Sequence, residues 1–297
     1  MATLVCRDGS SPRPLGSQMA VTGKGYCVGS LTGTGCGDRL IVHESLEAIR
    51  EGQNRWLRLG AGSPFLDIRL PCGAGVEIYI DVQTGGCTLA ELLKAHGARR
   101  PAALEIDTMA STSRVVMDTD VTPPSEGMVR RWLYPRQRLF VIGQGLNAMA
   151  LSQVAVASGH EVMVFSPDEG TLMSAAQSGA STFRLSTARM FSCPELDPWT
   201  AAVTMFHDHD WEMPILQTLL GGSCYYLGAL GSKRTHKRRV RQLRELGLAD
   251  CARSLRGPAG LDIGAESPEE ISLSILAEVT QVYRSVARPS LETGDFI

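Results

Sequence analysis

The residues best equipped for chemistry lie in short stretches that are rich in glycine or that close an apolar run. One is Gly228-Ala229-Leu230-Gly231-Ser232-Lys233-Arg234-Thr235-His236. It reads as a strand end, a glycine turn and a helix start capped by Ser232, whose hydroxyl accepts from amides that have no intrahelical partner. Lys233 and Arg234 then place positive charge on the amino end of the helix, which already carries partial positive charge. That clash predicts a negative ligand. A phosphate suits it, because glycines let its oxygens reach the backbone amides; a solvated basic helix is the competing reading. A second stretch, Gly143-Gln144-Gly145-Leu146-Asn147-Ala148, offers the same amide chemistry. A third, His207-Asp208-His209-Asp210, closes another apolar run and fits a metal, hydrogen bonds to a ligand, or a polar turn. Cys36 in Thr32-Gly33-Thr34-Gly35-Cys36-Gly37-Asp38, and Cys72 in Leu70-Pro71-Cys72-Gly73, set thiols in glycine turns. Each is either a soft ligand or a small buried residue.

The hydrophobic pattern supplies the elements that must hold these residues. Leu139 to Ile142 is continuously apolar, as a parallel strand buried on both faces should be. The glycine turn, a helix to about Ser158, the stop Gly159 and the strand Val162 to Phe165 complete a unit of nearly Rossmann length. Ala148 stands where the third fingerprint glycine would be. At the end of the second strand the chain has Ser166-Pro167-Asp168, so the acid comes two residues late for ribose hydroxyls, which argues against ordinary NAD binding. Ala201 to Phe206 reads as the next strand, Pro214 to Leu220 as a helix, and Cys224 to Leu227 as a strand. Ser267, Pro268 and Glu270 form a helix start of capping-box type, and Ile271, Ile275, Val279 and Val282 give that helix an apolar stripe.

Ahead of this region lie strands at Ala2 to Cys6, Gln18 to Val21, Tyr26 to Gly29, Arg55 to Leu59, Gly75 to Val82, Ala103 to Ile106 and Arg114 to Met117. Helices at Leu40 to Glu51 and Leu89 to His96 accompany them. The expected class is α/β: an α+β domain over residues 1–121, a linker over 122–136 containing Pro123 and Pro124, and a Rossmann-like doubly wound domain over 137–297.

With 297 residues and 43% apolar content the chain can bury a substantial core. Its formal charge of -2 makes the cluster Lys233, Arg234, Lys237, Arg238, Arg239, Arg241 and Arg244 a local feature. A small anion or an acidic partner patch fits it better than nucleic acid, since no aromatic residues interleave to stack on bases. The later cations, Arg238 to Arg244, read as a solvated or partner-facing surface. Eight cysteines without a C-x-x-C pair argue against a zinc ribbon or a redox dithiol. No apolar run reaches membrane-spanning length and no signal-peptide core opens the chain, so a reducing cytoplasm is the expected setting.

Two motifs taken together carry a resemblance. Gly228 to His236, followed by Gly257-Pro258-Ala259-Gly260-Leu261-Asp262-Ile263-Gly264-Ala265 and Ser267-Pro268-Glu269-Glu270-Ile271, resembles the xanthine dehydrogenase accessory protein family, XdhC/CoxI. The His207-Asp208 strand end, the Gly143-Gln144-Gly145 turn, Gly9 to Gly16 and Leu70 to Gly73 extend the match to both halves of the chain. By this resemblance the sequence is identified as a divergent member, with one residue inserted in the glycine-cysteine loop and Ser166 where the family tends to have aspartate. The resemblance implies an XdhC/CoxI domain joined to a Rossmann-like domain. It implies a maturation factor, more than an oxidoreductase, that binds molybdenum cofactor (molybdopterin), holds it for sulfuration and passes it to a molybdenum hydroxylase. A cysteine desulfurase partner and a homodimer belong to the same picture; nucleic acid and membrane do not. Gly143, Gly145, Asn147, Gly231, Ser232, Arg234, Thr235 and Gly264 are then the residues for the cofactor's phosphate and surroundings. His207, Asp208 and Asp262 are placed for the pterin edge, and Cys36 and Cys72 for molybdenum or a transferred sulfur. Two rival readings are an NAD(P)-dependent oxidoreductase built on the Rossmann-like domain and a docking module acting through the basic helix.

Overall fold

The computed structural model describes every residue except 10–12, 34, 64–74, 118–123, 126, 194, 207 and 288–297. The chain divides into two compact units, Met1–Pro135 and Arg136–Ser290.

In the first unit β1 (Ala2–Asp8), β2 (Gln18–Val21), β3 (Cys27–Val28), β4 (Arg55–Gly60) and β5 (Gly75–Ile80) form an antiparallel sheet in the order β3-β2-β1-β5-β4. Strand alternation turns Leu57 and Leu59 of β4 inward with Leu4, Met19 and Ile78. Ile41 and Ala48 of helix α1 (Gly35–Glu51) close that core. A second antiparallel sheet, β7-β6-β8, comprises β6 (Ala102–Asp107), β7 (Thr112–Met117) and β8 (Met128–Leu133), with α2 (Gly86–Gly97) against β6 and β7.

Two expectations change here. Residues 128–133 lie within the expected linker, yet they form β8, and the first unit runs to Pro135. Arg130 hides the alternation: it is a charged residue at a buried position, made tolerable by Glu105 on β6, whose carboxylate accepts from Arg130 Nε at 2.7 Å. Helix α1 also begins at Gly35 and not near Leu40, so Cys36 and Asp38 lie in its first turn. The Asp38 carboxylate accepts from the amides of Leu31 and Thr32 at 3.1 and 3.0 Å and from the hydroxyls of Ser30 and Thr32 at 2.5 and 2.9 Å. Those bonds fold the preceding loop back onto the helix start.

The second unit is a six-stranded parallel sheet: β9 (Arg138–Gly143), β10 (Glu161–Ser166), β11 (Ser181–Arg184), β12 (Thr200–Met205), β13 (Tyr226–Ala229) and β14 (Leu255–Arg256), in the order β11-β10-β9-β12-β13-β14. Helices α3 (Leu146–Ala157), α4 (Glu169–Gln177) and α7 (Pro268–Val282) cover one face, where Leu139, Val141, Leu151, Leu172, Ile275 and Val279 share a core. Helices α5 (His209–Leu220) and α6 (Lys233–Glu245) cover the other, with Phe140, Ile142, Ile215, Leu216 and Leu243. Burial on both sides is the reason Leu139 to Ile142 of β9 read as an unbroken apolar run.

The capping box at Ser267 and Glu270 forms as expected. Helix α5, expected from Pro214, starts five residues earlier. Asp208 caps it by accepting from Asp210 N at 2.9 Å, so His209 and Asp210 are helical rather than part of a turn, and Pro214 lies within the helix. Helix α4 and strand β11 have no distinct hydrophobic signal, and they fill the stretch between Asp168 and Arg184.

Candidate ligand cleft at the carboxyl edge of the parallel sheet

Strand order reverses between β9 and β12, and in such sheets ligands bind beyond the carboxyl ends at the switch point. Gly143 closes β9 there. A Cβ at this position would lie 2.7 Å from the backbone carbon and oxygen of Met205, so only glycine lets β12 come this close. Gly145 follows with φ +83°, a conformation that L side chains rarely adopt, and open space surrounds its missing Cβ. Its amide donates to Thr171 Oγ1 at 3.0 Å. Ala148, in the third fingerprint place, is fully buried against the sheet.

Side chains cap α4, α5, α6 and α7: Asp168, Asp208, Ser232 and Ser267 respectively. Helix α3 has no side-chain cap. The first-turn amides of Leu146, Asn147 and Ala148 therefore lack an intrahelical acceptor at the carboxyl end of β9. Leu146 is exposed and Asn147 half-buried at this mouth.

The end of β10 is occupied differently from a dinucleotide site. Ser166 is fully buried and accepts from Asp168 N at 3.1 Å. Asp168 accepts from both the hydroxyl and the amide of Thr171 at 2.7 Å, and these two bonds hold its carboxyl below the usual range. The acid that comes two residues late is a helix cap, and through Thr171 it braces the Gly145 turn.

Beyond β13 the predicted N-cap forms: Thr235 N donates to Ser232 Oγ at 3.1 Å, and the two hydroxyls lie 3.0 Å apart. Gly231 and Arg234 are exposed beside it. Lys233 reaches Asp262 at 3.5 Å, joining this turn to the loop after β14. That loop is tied down from behind, since Glu278 of α7 accepts from Gly260 N at 2.8 Å, Tyr226 Oη at 2.7 Å and Arg256 Nη1 at 3.1 Å. Burial and the Glu278 carboxylate push the Tyr226 hydroxyl far above its ordinary value, so it stays a donor. Gly264 lies further along this loop, exposed.

The structure thus joins Gly143 to the end of β12, Ser232 to Thr235, and Lys233 to Asp262. Among the described residues no hydrogen bond or ion pair links Asn147 or Asp208 to the Ser232–Asp262 group. His207 and Cys72 lie outside the described residues. Cys36 is exposed in the first unit, and among the described residues no His, Cys, Asp and Glu group is arranged to hold a metal.

One expectation about α6 is corrected. Arg239, grouped in sequence with the solvated cations, is fully buried. Its Nε and Nη2 donate to the two Glu212 oxygens at 2.9 and 2.7 Å, and Nη2 also donates to Leu230 O at 3.0 Å. Thr204 Oγ1 donates to the same carboxylate at 3.2 Å. The pair ties α6 to α5 and to the end of β13, and nothing local in the sequence connects residues 27 positions apart. His236 sits against Gly257, where a Cβ would come within 2.2 Å of its Nδ1, and burial followed by the Arg239 charge lowers its pKa.

A parallel sheet in this order, with a glycine turn at its switch point and an uncapped helix behind it, defines the second unit as a Rossmann domain. Residues 139–279 match the XdhC Rossmann domain and residues 1–60 match the XdhC and CoxI family. The chain belongs to this family. It is 32% identical over 283 residues to the molybdenum cofactor insertion chaperone PaoD of Escherichia coli, covering 95% of this chain and 82% of that one. A probable xanthine dehydrogenase component of Bacillus subtilis is 32% identical over 160 residues, covering 52% of this chain and 45% of that protein. A crystal structure of a xanthine dehydrogenase from Bacillus halodurans shares the fold, with a TM-score of 0.77 at 22% identity, covering 100% of this chain and 94% of that one.

Proposed function

We propose that this protein is a molybdenum cofactor insertion chaperone, which holds the cofactor for sulfuration and delivers it to a molybdenum hydroxylase. The observation that carries the reading is its 32% identity with a chaperone of that name across most of both chains. The cargo is a pterin with a terminal phosphate and a dithiolene that binds the metal. The donor set at the carboxyl edge fits the phosphate: uncapped amides at residues 146–148, the hydroxyl of Thr235, and the cations Lys233 and Arg234. Asp208 and Asp262 offer acceptors to the pterin's N–H edge. Ser232 already caps α6, so the α3 terminus is the stronger phosphate site of the two glycine turns. A nicotinamide dinucleotide has less support, because Asp168 is engaged by Thr171. A cysteine desulfurase as sulfur source and a paired state of two copies complete the proposal.

The test mixes purified full-length protein with freshly released cofactor and measures molybdenum and pterin retained through gel filtration. Stoichiometric retention is expected, together with the absence of tight NADH or NADPH binding by nicotinamide fluorescence. No retention, or tight reduced-nucleotide binding, would overturn the reading.

A further inference from the structure

Helix α6 separates its charges by face. Arg239 and Leu243 are fully buried and Val240 packs into the same core. Arg234, Lys237, Arg238, Arg241 and Arg244 are all exposed. Positions 234, 237, 238 and 241 follow the spacing that places side chains on one side of a helix. With Thr235 they line a groove of about 460 Å³.

Folding stability does not explain this face. Arg234 opposes the helix dipole, and like charges three and four residues apart repel. Among the described residues Arg234, Lys237, Arg238 and Arg244 make no ion pair, and Arg241 reaches only Glu245, at 3.8 Å. The inner side is anchored by the Arg239–Glu212 pair and the amino end by the Ser232 cap, so the cations stand on a rigid platform.

We propose that this face docks an acidic surface of the protein that receives the cargo, an inference that rests on the chaperone reading above. From Arg234 to Arg244 the stripe is about 15 Å long, more than a single phosphate needs. The chain as a whole carries a charge of -2, so the patch is not part of a general basic character. Its amino end adjoins Lys233, which pairs with Asp262 of the loop after β14, on the carboxyl side of the sheet. A protein held along the stripe therefore sits beside the cleft, and the cargo need travel only a short distance. Long-range attraction between the stripe and carboxylates also speeds encounter.

The experiment uses full-length protein and a labelled helical peptide with glutamates at i, i+3, i+4 and i+7, alongside a peptide of the same composition with its glutamates spread around the helix. The patterned peptide is expected to bind about tenfold tighter, with affinity falling steeply as salt screens the charges. Exchanging Arg238→Glu and Arg241→Glu together should weaken binding by about tenfold or more, and Arg238→Gln with Arg241→Gln by less. Both double variants should keep the thermal midpoint and cofactor retention of the wild type. Equal binding of the two peptides, unchanged binding by the reversed variant, or displacement by inorganic tripolyphosphate at lower concentration than by the peptide itself would overturn the proposal. A wild type that binds the patterned peptide but retains no cofactor removes the chaperone reading instead.

Discussion

Replacing Arg239 by methionine tests the internal support of the cleft. The substitution keeps an unbranched side chain but removes two bonds to Glu212 and one to the Leu230 carbonyl. It leaves the Glu212 carboxylate, 1% exposed, without the guanidinium that faces it. Breaking a buried pair from one side costs about 3–5 kcal/mol, because the remaining charge stays desolvated. For a unit of this size each kcal/mol lowers the midpoint by about 2–4 °C, so a fall of about 6–20 °C is expected. Thermal and urea unfolding followed by circular dichroism give the number. Arg238→Met, one residue away and exposed, is the control and should change stability by less than about 0.5 kcal/mol. Adding Glu212→Leu to Arg239→Met should recover a good part of the loss, since a well-packed apolar replacement of a buried pair is often neutral. A cost below about 1 kcal/mol for Arg239→Met, or a double variant as unstable as the sum of the single ones, would refute the reasoning.

Gly143→Ala should damage the second unit more than Gly145→Ala. The first drives a Cβ to 2.7 Å from the backbone of Met205, which must move, whereas the second meets open space and carries a φ penalty of about 1–2 kcal/mol; urea midpoints decide the order. Asp38→Asn should destabilise the first unit by about 1–2 kcal/mol near neutral pH. Burial alone would raise the Asp38 pKa, but the bonds from Ser30, Thr32 and Leu31 outweigh it and hold the carboxyl below its ordinary value. Its contribution is therefore present above the unfolded pKa of about 3.9 and is lost as pH falls through the folded pKa. Melting curves of wild type and variant should converge in acid, and a gap that persists there would contradict this account.

What can be read from the residues in order is local. The capping box of Ser267 and Glu270 and the Ser232 cap each depend on groups within four or so positions, so their sequence signatures are complete. The buried strand β9 announces itself by the unbroken apolar run from Leu139 to Ile142. The carboxyl-edge location of Gly143 and Ser232 follows from strand-turn-helix order, whereas Asp262 follows the two-residue strand β14, which has no sequence signal of its own. Other features need the folded chain. Strand β8 is hidden because Arg130 is buried by Glu105, a partner on another strand. Asp168 reads in sequence as a misplaced ribose ligand, and only the fold shows Thr171 holding it. Arg238 and Arg239 are neighbours of identical chemistry, and no local pattern separates them. The packing of α5 and α6 against one face of the sheet brings Glu212 under the second and leaves the first in solvent. The hydrophobic faces of those helices fix their rotation, and that rotation decides which arginine supports the cleft and which is free to meet a partner.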